Sequence, residues 1–186
     1  IDRLRGRRVS ANLAFQPGTH VYLLTPVDSE STQGGALVAW NETAPLAEAF
    51  VSIFLGDDDV NLIDIWGNQS GTISPTKISV GDGKDIDIHV IPISTEPVFI
   101  EGIDVNLAIF TSSIRLDEPL IDSIPGPHHR TISLTNPWTV AIDGSLIVTE
   151  PGPRLLSGRP SGWDISPRVV RFSAGPGETV EIPIDI

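Results

Sequence analysis

The sequence predicts an all-β protein made of two consecutive antiparallel β-sandwich domains, residues 1–117 and 118–186. Short apolar, β-branched runs with period two recur roughly every 8–12 residues, the spacing of sandwich strands. Between them stand turn clusters such as Gly56-Asp57-Asp58-Asp59, Gly67-Asn68 and Gly81-Asp82-Gly83-Lys84, where Gly and Asp suit tight reversals. The pattern is interrupted at Asp117-Glu118-Pro119, which places the domain boundary.

The elements follow in order. Residues 1–18 form a lead-in, with Val9, Ala11, Leu13 and Phe15 alternating before Gln16-Pro17-Gly18. His20–Thr25 is a strand closed by Pro26, and residues 27–35 are a loop without periodicity. Strands are then expected at Ala36–Trp40, Ala47–Leu55, Val60–Trp66, Thr72–Val80, Asp85–Ile91, Pro97–Ile100 and Leu107–Leu116. Beyond the boundary come Leu120–Ile124, Arg130–Asn136, Val140–Val148, Gly162–Ile165, Val169–Ser173 and Thr179–Ile186. Residues 150–162, with three Pro and three Gly, read as a long loop.

Composition narrows the function classes. The chain has 12 basic and 24 acidic residues and a net charge of −12. Four arginines (Arg3, Arg5, Arg7, Arg8) sit in the first eight residues, while residues 9–117 carry a net −12 by themselves. A body this acidic repels nucleic acid and anionic lipid. No apolar run is long enough to span a membrane, so membrane insertion is not expected. Without Cys there is no disulfide, thiol chemistry or cysteine-ligated metal. With no Met, a start at Ile1 points to a removed leader or to a piece of a longer protein.

The last stretch, from Gly162, reads GWDISPRVVRFSAGPGETVEIPIDI. Val169, Phe172, Val180, Ile182 and Ile184 supply its apolar positions around the turn Gly175-Pro176-Gly177-Glu178, and Pro183 is tolerable only at an edge or bulge. With Asn136-Pro137-Trp138 upstream, this resembles the immunoglobulin-like domain that accompanies carbohydrate-binding modules in bacterial α-galactosidases and other secreted glycosidases. The resemblance implies that Trp163 is a core residue and that the domain performs no chemistry. Earlier, VNLIDIWGNQSG (from Val60), the Gly-Asp-Gly turn, IDIHVIPI and PVFIEGID resemble the β-sandwich tail module of secreted bacterial (planctomycete-type) glycosidase-like proteins, over roughly residues 36–110. No catalytic barrel is present, and no glycosidase acid/base pair transfers to any residue.

Chemistry-bearing residues are few. None of His20, His89, His128 and His129 sits in a nucleophile motif, and there is no G-x-S-x-G. His89 alternates against Ile86 and Ile88, so it is expected on an exposed sheet face. The neighbours His128 and His129 face opposite sides of a strand, which disfavours joint chelation. Asp57, Asp58 and Asp59 are the densest anionic point, and hard oxygen ligands in a turn can hold calcium. The D-x-D-x-D-G spacing of a calcium loop is absent, however, and Asp and Gly favour hairpin turns for backbone reasons alone. No other cofactor is indicated.

An exposed indole face stacks on pyranose C–H groups, so the four tryptophans are candidate sugar platforms. Trp40 and Trp163 read as core, whereas Trp66, in a turn beside Gly67 and Asn68, is the candidate ligand contact together with Asn68. Asn41-Glu42-Thr43 and Asn68-Gln69-Ser70 fit the N-glycosylation acceptor pattern, which chance also produces.

These features point to a non-catalytic module pair from a larger secreted or cell-surface protein, associated with carbohydrate. Its partners would be other domains of the parent protein, copies of itself, or a glycan. The alternative is a structural subunit of an extracellular filament or surface layer assembled by strand exchange, with the lead-in strand donated to a neighbour. Of the two arrangements, the lead-in folded back on its own domain is the expectation.

Overall fold

The computed structural model describes residues 4–13, 18–27, 34–43, 49–81, 84–118, 126–148 and 164–186. Among them are fourteen strands and one helix, all sheet pairings being antiparallel. The protein is all-β in class. The chain divides into two compact units, Ile1–Ser112 and Ser113–Ile186. None of the described helices is long and apolar enough to cross a membrane.

The first unit has two sheets. In the larger, β1 (Arg7–Asn12), β2 (Thr19–Pro26), β3 (Ala36–Asn41), β5 (Val60–Ile63), β6 (Gln69–Ile73) and β9 (Val98–Glu101) lie in the order β1-β2-β3-β9-β5-β6. The smaller orders β4 (Ala49–Ile53), β7 (Thr76–Gly81) and β8 (Lys84–Ile93) as β4-β8-β7. Period-two alternation sends one face of each sheet into a shared core. Val21, Leu23, Leu37, Ala39, Val60, Leu62 and Ile100 come from the larger sheet, and Val51, Ile53, Ile91 and Ile93 from the smaller. Burying each of these larger aliphatic side chains is worth about 1.5–3 kcal/mol. Leu24, Ile63 and Phe99, with Val38 against them, form a second cluster on the other face of the larger sheet.

Several expectations are corrected here. The run Thr72–Val80 is two edge strands in different sheets, parted at Ser74-Pro75, where Pro75 has no N–H to continue the β5–β6 ladder. Leu107–Leu116 is not a strand: helix α1 (Val105–Ser113) occupies most of it, followed by the short β10 (Arg115–Leu116). Asp104 caps α1, its carboxylate accepting the Leu107 N–H (3.1 Å) and its carbonyl the Ala108 N–H (3.0 Å). Buried Ala108 and partly buried Ile109 then join the core, and tertiary packing overrides the β-branched composition. Gly35 leaves room for the helix, since a Cβ there would come within 2.2 Å of Val105 Cγ2.

The lead-in folds back as β1 on β2 of the same unit, with a register shift between Val9 and Ala11. The extra residue, Ser10, bonds the Leu23 carbonyl through its hydroxyl (3.2 Å). The shift removes Val9 from the expected apolar face: Val9 is 61% exposed, while Ala11 and Leu13 reach the core. Arg7 is tied down, with Nη1 3.2 Å from Glu101 Oε1 and Nη2 donating to the Gly34 carbonyl (2.9 Å).

In the second unit β10, β11 (His129–Thr135) and β14 (Thr179–Asp185) form one sheet, and β12 (Ile142–Ile147) pairs with β13 (Val169–Ala174). Among the described residues, Ile132, Leu134, Ile165, Ala174, Ile182 and Ile184 are its buried apolar ones. Val169 is exposed, because the inward row of β13 is Val170, Phe172 and Ala174. Phe172 lies over Gly144, its partner across the pair, where a Cβ would sit 2.7 Å from the ring. Pro183 lies on β14, the outermost strand of its sheet. In the Gly175–Glu178 turn, Gly177 takes a φ of 70°, a left-handed conformation that costs glycine little. The Leu120–Ile124 strand, Pro119, Phe15, Trp163 and the 150–162 loop lie outside the described residues.

Asn136 organises this unit. Its side chain is fully buried, with Nδ2 facing three carbonyls, of Val140 (2.8 Å), Ala174 (2.9 Å) and Gly175 (2.9 Å). Its Oδ1 accepts the Trp138 N–H (2.9 Å), and its backbone exchanges bonds with Glu178 O and Gly177 N–H. One amide thus joins the end of β11, the start of β12 and the closing turn.

Candidate functional site

The turn between β5 and β6, Asp64-Ile65-Trp66-Gly67-Asn68, carries the most exposed large apolar side chain among the described residues: Trp66 is 82% exposed, with Ile65 beside it at 41%. The turn is braced from within. Asp64 Oδ1 accepts the backbone N–H groups of Trp66 (2.9 Å) and Asn68 (2.8 Å), and Oδ2 accepts Asn68 Nδ2–H (3.0 Å). Backbone bonds close the loop: Asp64 N–H to Asn68 O (2.9 Å) and Gly67 N–H to Asp64 O (3.0 Å), Gly67 having a φ of 89°. The Asn68 side-chain amide, and after it the Asn68 backbone N–H, hold the Asp64 carboxyl below its ordinary value of 3.8, with the Trp66 and Gly67 N–H groups acting in the same direction. The backbone that carries the indole is therefore preorganised.

Uncharged polar groups lie on the adjoining strands. Gln69 Nε2 donates to Asn61 Oδ1 (2.8 Å) and Thr72 Oγ1 (3.1 Å), and the Thr72 hydroxyl donates to Asn61 Oδ1 (3.2 Å). An exposed aromatic face offers stacking on apolar C–H surface, and the amides and hydroxyl of the hairpin strands offer exchangeable hydrogen bonds to hydroxyl groups.

The other candidate residues are placed differently. Asp57, Asp58 and Asp59 are exposed in the turn after Gly56, and no three His, Asp or Glu side chains among the described residues are grouped to hold a metal. The turn has a structural tie instead: His89 Nε2–H donates to the Asp58 carbonyl (2.9 Å). The expected exposure of His89 is corrected, since the side chain is 0% exposed and faces inward with Ile91 and Ile93. Asn41 is corrected as a glycosylation acceptor. It is buried, Nδ2 donates to Thr19 Oγ1 (3.0 Å) and Oδ1 accepts the Thr43 N–H (3.0 Å), so the amide that would carry the glycan is turned inward. Asn68 is exposed, its amide on Asp64.

Trp40 is half-buried, in an aromatic group whose members were not linked from sequence. His20 stacks on it at 4.7 Å between ring centroids and Tyr22 at 5.5 Å. The signal was present as His20 and Tyr22 two apart on one strand, with Trp40 directly across from His20. His20 also bonds Glu42 (2.8 Å), and His129 pairs with Asp185. Because its ring stacks on its neighbours, Trp40 is a poorer platform than Trp66. Comparison with protein-family models, curated proteins and solved structures yields no match.

Proposed function

We propose that this chain is a non-catalytic pair of β-sandwich modules, the second immunoglobulin-like, that serves a larger secreted or cell-surface protein by associating with carbohydrate. The observation that carries the reading is the 82% exposure of Trp66 on a turn braced by Asp64. Two facing sheets over one core in the first unit, and two small sheets in the second, support the sandwich architecture. Three of the four histidines, His20, His89 and His129, are engaged with Glu42, the Asp58 carbonyl and Asp185, which supports a binding module over an enzyme. The test is affinity electrophoresis of the full chain and of Trp66→Ala through gels containing a panel of polysaccharides. Retardation of the parent chain that is lost in Trp66→Ala is expected; equal migration of both in every gel refutes the reading.

The alternative, a filament or surface-layer subunit assembled by strand exchange, draws on one feature: β1 is an edge strand that could be donated to a neighbour. Exchange would first have to break the β1–β2 ladder and release Arg7 from Glu101 and Gly34. Light scattering of the full chain and of a variant lacking residues 1–12 separates the two. Polymers that vanish with the deletion favour exchange, and monomers throughout exclude it.

A further inference from the structure

We propose that the ligand recognised at the Trp66 turn is a neutral polysaccharide chain, not an acidic or sulfated one; this rests on the carbohydrate reading above and specifies its chemistry.

The argument is one of charge. A uronate or sulfate ester taken from water to a protein surface needs a cation or a set of donors in return. The sequence places no Lys or Arg between Arg8 and Lys77, so neither β5, β6 nor their turn contributes one. Asn61 pairs across the ladder with Glu101, and the cation beyond it, Arg7, has a side chain only 5% exposed and held by Glu101. The uncharged polar groups of the turn and its two strands are the amides of Asn68, Asn61 and Gln69 and the hydroxyl of Thr72, which serve sugar hydroxyls as donors and acceptors alike. The carboxylate at the turn, Asp64, is kept ionised by its own N–H partners and would repel a second anion a few ångströms away. Residues 9–117 add a net −12, which opposes the approach of any polyanion.

Affinity is measured by titration calorimetry on the full chain. The probes are neutral hexaoses (cellohexaose, mannohexaose, xylohexaose, maltohexaose) and the acidic hexagalacturonate and hexamannuronate, each at about 20 mM and 500 mM NaCl. The expected result is binding of at least one neutral hexaose with less than a twofold change in Kd across that salt range. The acidic hexaoses should bind at least tenfold more weakly, and Trp66→Ala should weaken the neutral hexaose at least tenfold with an unchanged melting curve. Trp66→Phe, which keeps a smaller ring face, should retain part of the affinity. Tighter, Trp66-dependent binding of an acidic hexaose overturns the neutral class while leaving the carbohydrate reading intact. Absence of binding to every probe, or binding indifferent to Trp66→Ala, overturns both.

Discussion

Replacing Asn136 by alanine tests the organisation of the second unit most sharply. The two Nδ2 protons are shared by three carbonyls and Oδ1 holds one N–H, so the change removes the equivalent of three buried or part-buried hydrogen bonds. A net contribution of about 1 kcal/mol each gives about 3 kcal/mol, and partners left unsatisfied in the interior push the loss higher. At one decade per 1.4 kcal/mol, amides of β11 and β14 that exchange through unfolding of the unit should exchange more than about 100-fold faster. Hydrogen exchange read by mass spectrometry on the full chain resolves this, because peptides from the first unit serve as the unchanged control. Asn136→Asp adds a sign test: it keeps an acceptor for Trp138 N–H but turns an anion with no donor toward three carbonyls, so it should be at least as damaging as alanine. An acceleration below about fivefold for Asn136→Ala, or an Asp variant more stable than the Ala variant, refutes the donor role.

Three further outcomes are expected. Asp104→Ala removes the cap of α1 and should cost about 1 kcal/mol by urea unfolding, and a loss below about 0.3 kcal/mol contradicts the capping geometry. Asp64 titrates below 3.8 in the folded chain, so its contribution to stability is complete above that pH and is lost as pH falls through the lowered value; carboxyl NMR should show the depressed midpoint rising in Asn68→Ala, and an unchanged midpoint would remove Asn68 as the main cause. Trp66→Ala should change unfolding free energy by no more than about 0.5 kcal/mol, whereas Ile63→Ala, three residues away but buried, should cost about 2–5 kcal/mol; comparable losses from both would mean the indole is a packing residue.

Strand positions were largely legible because a period of two is written locally: Thr19–Pro26, Ala36–Asn41, Val98–Glu101 and Thr179–Asp185 fall within two residues of where alternation puts them. Sheet membership was not, since it depends on partners far along the chain. Pro75 was visible in the run Thr72–Val80, but only the destination of the two halves shows that they part company. The strand β8 carries its own warning. Its apolar positions are Ile86, Ile88 and Val90, then Ile91 and Ile93, so the even-numbered row gives way to an odd-numbered one between Val90 and Ile91. The first half pairs with β7 and the second with β4, so the inward face must be counted from Ile91, which puts His89 inside. A bulge such as the one at Ser10 leaves no comparable mark. The Trp66 turn was readable, since Asp, Gly and Asn around a single aromatic residue announce a reversal. What sequence withheld was the bracing carboxylate of Asp64, which is one acid among 24 until its partners are placed.

The two units use the same device to opposite ends. In each, a short side chain folds a turn by accepting its backbone N–H groups: Asn136 in the second, Asp64 in the first. Asn136 also donates inward, so its identity is set by the carbonyls around it and the result is a structural joint. At Asp64 the requirement runs to the backbone N–H of Trp66 and to Asn68; nothing in the bracing uses the indole. Any residue with a free N–H would close the turn equally well. Isolated exposed apolar side chains are ordinary on protein surfaces, but a tryptophan is the largest of them and here stands on backbone held by five hydrogen bonds. Rigid backbone lowers the entropy lost when a contact forms. A turn that is firm in its backbone and makes no use of the side chain at residue 66 holds the indole in place without burying it, which is what the Trp66→Ala comparison of stability against binding separates.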